Sequence, residues 1–108
     1  MGGRLNRGEL RWCEFRRPDK KRPVLVLTRD SILGYLSEVT VAPVTSSIRD
    51  ILSEVVLGPI DGLKKECAVN LDHVQTVSKD KLGTLITTLS EKKMRDVRVA
   101  LLFALGFD

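Results

Sequence analysis

The sequence predicts a mainly β fold: a small, strongly curved sheet or partly open barrel, with short helical turns and a C-terminal α-helix. Three observations carry that expectation. The first three quarters of the chain divide into about six short segments, β-branched or alternating in pattern. Polar and Gly/Pro-containing turns separate them at intervals too short for helical crossovers. Only after Ser90 does the apolar spacing change to the three-and-four pattern of a helix.

Each element has its own local reason. Glu9–Phe15 alternates polar and apolar, the period of a half-buried strand. Arg16–Lys21 has a proline and no hydrophobe to bury, so it reads as a loop. Pro23–Thr28 is a continuous apolar run, expected to be a strand buried on both faces with Pro23 as its first residue. A turn around 31–37 containing Gly34 leads to Glu38–Thr45, where Pro43 implies an edge position or a bulge. Ser46–Asp50 is a polar loop, and Glu54–Leu57 resumes the sheet before Gly58-Pro59 ends it. Cys67–Asn70 and His73–Val77 are two further short strands. Residues 79–89 fit no single period, with a short helical turn at Lys79–Leu82. In the final helix, Met94, Val97, Leu101 and Ala104 form one stripe. Ser90 is its expected N-cap, Glu91 suits the positive helix start, and Gly106 can end it.

A length of 108 residues fits one domain over 1–108, with residues 1–6 as a flexible tail. Hydrophobic content of 43% and charged content of 30% are ordinary globular values and argue against disorder. No apolar run approaches the ~20 residues that span a bilayer, and Met1–Arg7 has no secretory core, so the expected location is the cytoplasm. Cys13 and Cys67 are far apart and outside any C-x-x-C pair, and His73 is the single histidine. The expectation is reduced thiols and no metal or cofactor site.

Charge is uneven along the chain. Residues 1–29 hold nine Lys/Arg against three acids, whereas residues 30–108 hold nine against eleven. A concentrated positive segment is either a solvated face or a phosphate-binding footprint. Arg22 stands out because it adjoins Pro23 where the chain enters the core, and its planar fork suits two phosphate oxygens. Thr45-Ser46-Ser47 places three hydroxyls at a strand end, able to donate to the same kind of group. Taken singly, each has a plainer reading: a strand-end arginine paired with a carboxylate, and ordinary turn hydroxyls. No P-loop, nucleophile elbow, zincin or dinucleotide motif is present. His73 reads as structural, and Trp12 as core before it reads as a stacking surface.

Read in order, Arg7–Trp12, Arg22-Pro23-Val24-Leu25-Val26-Leu27, Val41–Ser47, Glu54–Leu57 and Ala68–Val77 resemble the MazF/PemK family of toxin endoribonucleases. The resemblance covers roughly residues 7–105, and its specificity lies in five pieces at matching order and spacing. It implies an SH3-like, CcdB/PemK-type barrel, a homodimer, and a type II toxin inhibited by a cognate MazE-like antitoxin. It also implies mRNA-interferase activity: sequence-specific, metal-independent cleavage of single-stranded RNA by 2′-OH attack, blocking translation and growth. On the family's pattern Arg22 and Thr45 would be catalytic, while Lys20, Lys21, Ser46 and Ser47 would bind substrate. The loop between the first two strands is shorter than in many members, with Asp19 the nearest carboxylate. Two other readings share the fold: a CcdB-like gyrase poison and a non-catalytic RNA-binding module.

Overall fold

The computed structural model describes residues 4–15 and 21–108. Seven strands run β1 (Glu9–Glu14), β2 (Lys21–Val26), β3 (Glu38–Thr45), β4 (Glu54–Leu57), β5 (Cys67–Asn70), β6 (Gln75–Ser78) and β7 (Leu82–Thr88). Two α-helices, α1 (Asp30–Leu33) and α2 (Glu91–Leu105), and three 3-10 turns at Pro59–Asp61, Leu71–His73 and Lys79–Lys81 complete the chain. The strands follow the order β4-β5-β3-β2-β1-β7, with β6 also on β3, and every pairing is antiparallel.

The long strand β3 organises the sheet. One flank pairs with β2; the other pairs with β6 along Glu38–Val41 and with β5 along Val44–Thr45. The sheet therefore curls, and its two faces build two cores. Leu10, Leu25, Ala42, Val44, Val69 and Leu71 pack with Val97 and Ala100 of α2. Cys13, Val24, Val26, Val39, Val41 and Val77 pack on the opposite side with Leu33 of α1. Val24, Leu25 and Val26 are fully buried, so β2 is covered on both faces as its uninterrupted apolar run predicts.

The C-terminal helix forms where the spacing places it. The Ser90 side chain accepts from the Lys93 N–H at 3.1 Å, and Gly106 adopts φ 80° with its N–H on the Leu102 and Phe103 carbonyls. Met94, Val97, Leu101 and Ala104 all lie against the first core.

Three details depart from expectation. Pro43 is not at an edge: it opposes Val24 inside the sheet, at the point where the other flank of β3 changes from β6 to β5. That interruption leaves room for a residue lacking an N–H. β2 begins two residues before Pro23, because Lys21 and Arg22 pair with Glu14 and Cys13 of β1. His73 ends a 3-10 turn, and β6 starts at Gln75. The ambiguous stretch 79–89 resolves into a turn followed by β7, an irregular strand bonded to β1 through two register shifts.

A largely buried ion pair fastens that irregular pairing. Arg11 Nε donates to Glu9 Oε1 at 2.8 Å, and Arg11 Nη1 reaches the Gly83 carbonyl of β7 at 2.8 Å. Gly62, at the end of the first 3-10 turn, has φ 99°, and a Cβ there would lie 2.5 Å from Thr87 Oγ1. Gly62→Ala should therefore cost roughly 1–3 kcal/mol from strained backbone and crowding. Gly34 has φ −71°, and a Cβ there would meet no heavy atom within 4 Å, so it should accept alanine with little change. Urea unfolding midpoints of the two variants test this contrast.

Candidate active site

The geometry follows from strand register. Val24, Leu25 and Val26 oppose Pro43, Ala42 and Val41. Carrying that register two residues outward sets Arg22 opposite Thr45, where the two strands part. Alternation puts both side chains on the face of the second core: Arg22 shares it with Cys13, its partner on β1, and with Val24 and Val26. Thr45 shares it with Val39 and Val41. Two residues 23 positions apart in sequence are thus placed on one face at the same end of the β2–β3 pair, Arg22 exposed and Thr45 half-buried.

The Thr45 hydroxyl is oriented by its own turn. Its Oγ1 accepts from the Ser47 N–H at 3.0 Å, which leaves its O–H proton to be donated elsewhere. Ser46 and Ser47 follow, both exposed. The loop carrying them is held at its far end. Arg49 N–H donates to Glu54 Oε1 at 2.9 Å, and the Arg49 guanidinium lies 3.7 Å from the buried Glu54 Oε2. Ser53 Oγ donates to Asp72 Oδ2 at 2.6 Å. These anchors limit how far Thr45, Ser46 and Ser47 can drift from the strand end.

Lys21 goes elsewhere. As the neighbour of Arg22 on a strand it takes the opposite face, opposing Glu14 and lining a cleft with Trp12, Lys81 and Thr84. Arg22 and Lys21 therefore do not act on one point. Lys20 and Asp19, with the rest of the loop 16–20, lie outside the described residues. His73 is exposed and tied to its own strand end. The Asn70 Oδ1 accepts from Asp72 N–H at 2.9 Å, so Asn70 Nδ2 is the donor to His73 Nδ1 at 2.7 Å. In the neutral ring that contact puts the proton on Nε2.

Cys13 is fully buried and Cys67 half-buried, and both are free thiols. Burial pushes each thiol above its ordinary value; Lys81 partly offsets this at Cys13, while Asp61 adds to it at Cys67. Among the described residues no group of three or more His, Cys, Asp or Glu is placed to hold a metal ion, and no helix is long and apolar enough to cross a membrane. The cleft around Trp12 is not legible in the sequence, because Gly83 and Thr84 lie in the stretch whose period is ambiguous.

Comparison with known proteins first defines the class. The fold matches a solved Mycobacterium tuberculosis toxin, MazF-mt6, at TM-score 0.84 and 32% identity, covering 93% of this chain and 98% of that one. It also matches a mycobacterial endoribonuclease solved with its cognate antitoxin, at TM-score 0.87 and 27% identity, covering 97% and 98%. Among curated relatives, the probable endoribonuclease MazF5 of M. tuberculosis is 43% identical over 96 residues, 88% of this chain and 87% of that protein. The profile of the PemK-like, MazF-like toxins of type II toxin–antitoxin systems matches residues 6–105. The chain belongs to that family.

With both thiols held protonated near neutral pH, their thiolate fractions are small and the folded protein should resist iodoacetamide. Intact mass should show no adduct on the native protein and two after denaturation in urea; rapid native alkylation of Cys13 would contradict its burial.

Proposed function

We propose that this toxin is a metal-independent endoribonuclease that cuts single-stranded RNA, with Arg22 and Thr45 acting together on the scissile phosphate. The observation supporting this reading is the β2–β3 register, which, continued two residues past Val24 and Pro43, would put a guanidinium opposite a hydroxyl donor at the strand end. The relatives named as endoribonucleases support the substrate class.

The chemistry asks little of such a site. The ribose 2′-OH is tethered beside the phosphate, so in-line orientation replaces a bimolecular encounter. Its oxygen attacks phosphorus and gives up its proton. The P–O5′ bond then breaks, and the departing oxygen takes a proton, leaving 2′,3′-cyclic phosphate and 5′-OH ends. Between these events the phosphorane carries extra negative charge. Arg22 braces its oxygens with a fixed cationic fork, and Thr45 adds a hydroxyl donor. A guanidinium stays charged near neutrality, so electrostatic bracing suits Arg22 better than proton transfer. Ser46 and Ser47 supply further donors to RNA, and Lys20 and Lys21 pair with flanking phosphates. Single-stranded RNA fits because its unstacked bases expose their edges for sequence reading. Cleavage of translated RNA would stop protein synthesis and growth, an action that belongs to the cytoplasm.

Two copies would form the working unit, and a MazE-like antitoxin would cover the RNA surface. The structural match to an endoribonuclease bound to its cognate antitoxin supports that partner. An acidic, flexible segment complements the basic first quarter of this chain.

Arg22→Ala and Thr45→Ala should each fold normally yet cleave a defined transcript ~10²–10³-fold more slowly, the usual loss for one transition-state donor. Full activity in both variants would remove the assignment. A substrate with 2′-deoxyribose at the mapped scissile position should remain whole, and EDTA should leave the rate unchanged. Intact RNA that is merely retarded on a gel would make the protein a binding module.

A further inference from the structure

A second surface lies round the corner from Arg22, on the opposite face of the same strand end. Trp12 is 40% exposed, unusual for the chain's one tryptophan on a strand whose neighbours Leu10 and Cys13 are fully buried. It opens onto a cleft of ≈ 620 Å³ between β1 and β7, bordered by Glu14, Lys21, Asp80, Lys81 and Thr84. Gly83 lies beside it: a Cβ there would make ordinary contacts with the Trp12 carbonyl oxygen at 3.7 Å and with Trp12 Cβ at 4.0 Å. The α2 helix covers this face over Leu10 and Leu25, and the surface toward Trp12 is left to solvent.

The chemistry of the lining selects an occupant. Two ammonium groups are matched by two carboxylates, so the cleft is not a phosphate trap, and a free anion would gain little there. A flat indole flanked by both kinds of charge suits a nucleobase: its face stacks, its ring N–H groups meet Glu14 or Asp80, and adjoining phosphates meet Lys21 and Lys81. Lys21 is also the chain neighbour of Arg22, ~3.3 Å along the strand, so a strand of RNA leaving the Arg22–Thr45 end reaches this face within a nucleotide or two. The geometry points to Trp12 as a stacking platform for a base of the single-stranded substrate outside the scissile linkage. The inference rests on the endoribonuclease reading above.

The test uses an RNA oligonucleotide carrying the mapped cleavage site. Trp12→Leu should raise KM about fivefold or more, the loss expected for one base–aromatic stack, with kcat little changed. Trp12→Phe should stay near the wild-type value. Because Trp12 is the sole tryptophan, the unsubstituted protein supplies a second readout. Its emission should be quenched saturably by the same oligonucleotide blocked with 2′-O-methyl at the scissile ribose. Efficient cleavage with an unchanged KM in Trp12→Leu and an emission indifferent to RNA would overturn the stacking site while leaving the nuclease intact. Emission that responds to protein dilution but not to RNA would assign the cleft to a second copy and overturn it equally. Absence of cleavage by the wild-type protein would remove both readings together.

Discussion

The pairing of β2 with β3 is the constraint on which the rest depends. Val24, Leu25 and Val26 are buried on both faces, and Val41, Ala42 and Val44 meet the same two cores. Such a strand cannot slide cheaply. A one-residue slip would swap every side chain between cores of different shape, and a longer one would draw Arg22 into an apolar interior. Hydrogen bonds close the far end of the pair: Leu27 N–H to the Thr40 carbonyl, and Thr40 N–H to the Thr28 hydroxyl. The polar residues that end the apolar runs are held in register by the burial of the residues before them. Precision at the open end thus comes from packing, and the site itself need contribute little to stability.

The same alternation divides the polar residues at the strand end. Arg22 and Thr45 take one face; Lys21, Glu14 and Trp12 take the other. A basic cluster that looks continuous in sequence becomes two separate surfaces, because neighbouring residues of a strand point apart. On the function proposed for this chain, one face would work on a phosphate while the other would take a base of the same single strand.

Much of the fold was legible in the sequence, and the reasons differ by element. The helix at Glu91–Leu105 declared itself by cap, stripe and terminal glycine together. β2 did so by an apolar run bounded by charge. β7 did not, because an edge strand with Gly83 in it and no fully buried side chain has neither alternation nor a continuous apolar run. Pro43 misled for a related reason: a central strand can change partners along one flank, and nothing local to the proline reveals that. At the site, Arg22 and Thr45 could be singled out by residue type and by family resemblance, but their proximity is a property of strand register. The separation of Lys21 from Arg22 needed only the strand boundary, which the proline at position 23 obscured.

Arg22 and Thr45 are proposed to serve one phosphate in one transition state. A double-mutant cycle on single-turnover cleavage measures this directly, comparing Arg22→Ala, Thr45→Ala and the doubly substituted protein. If the two groups act as a unit, the double variant should be scarcely slower than the worse single variant. Losses that simply add would mean that the two residues work independently, and the shared site would have to be abandoned.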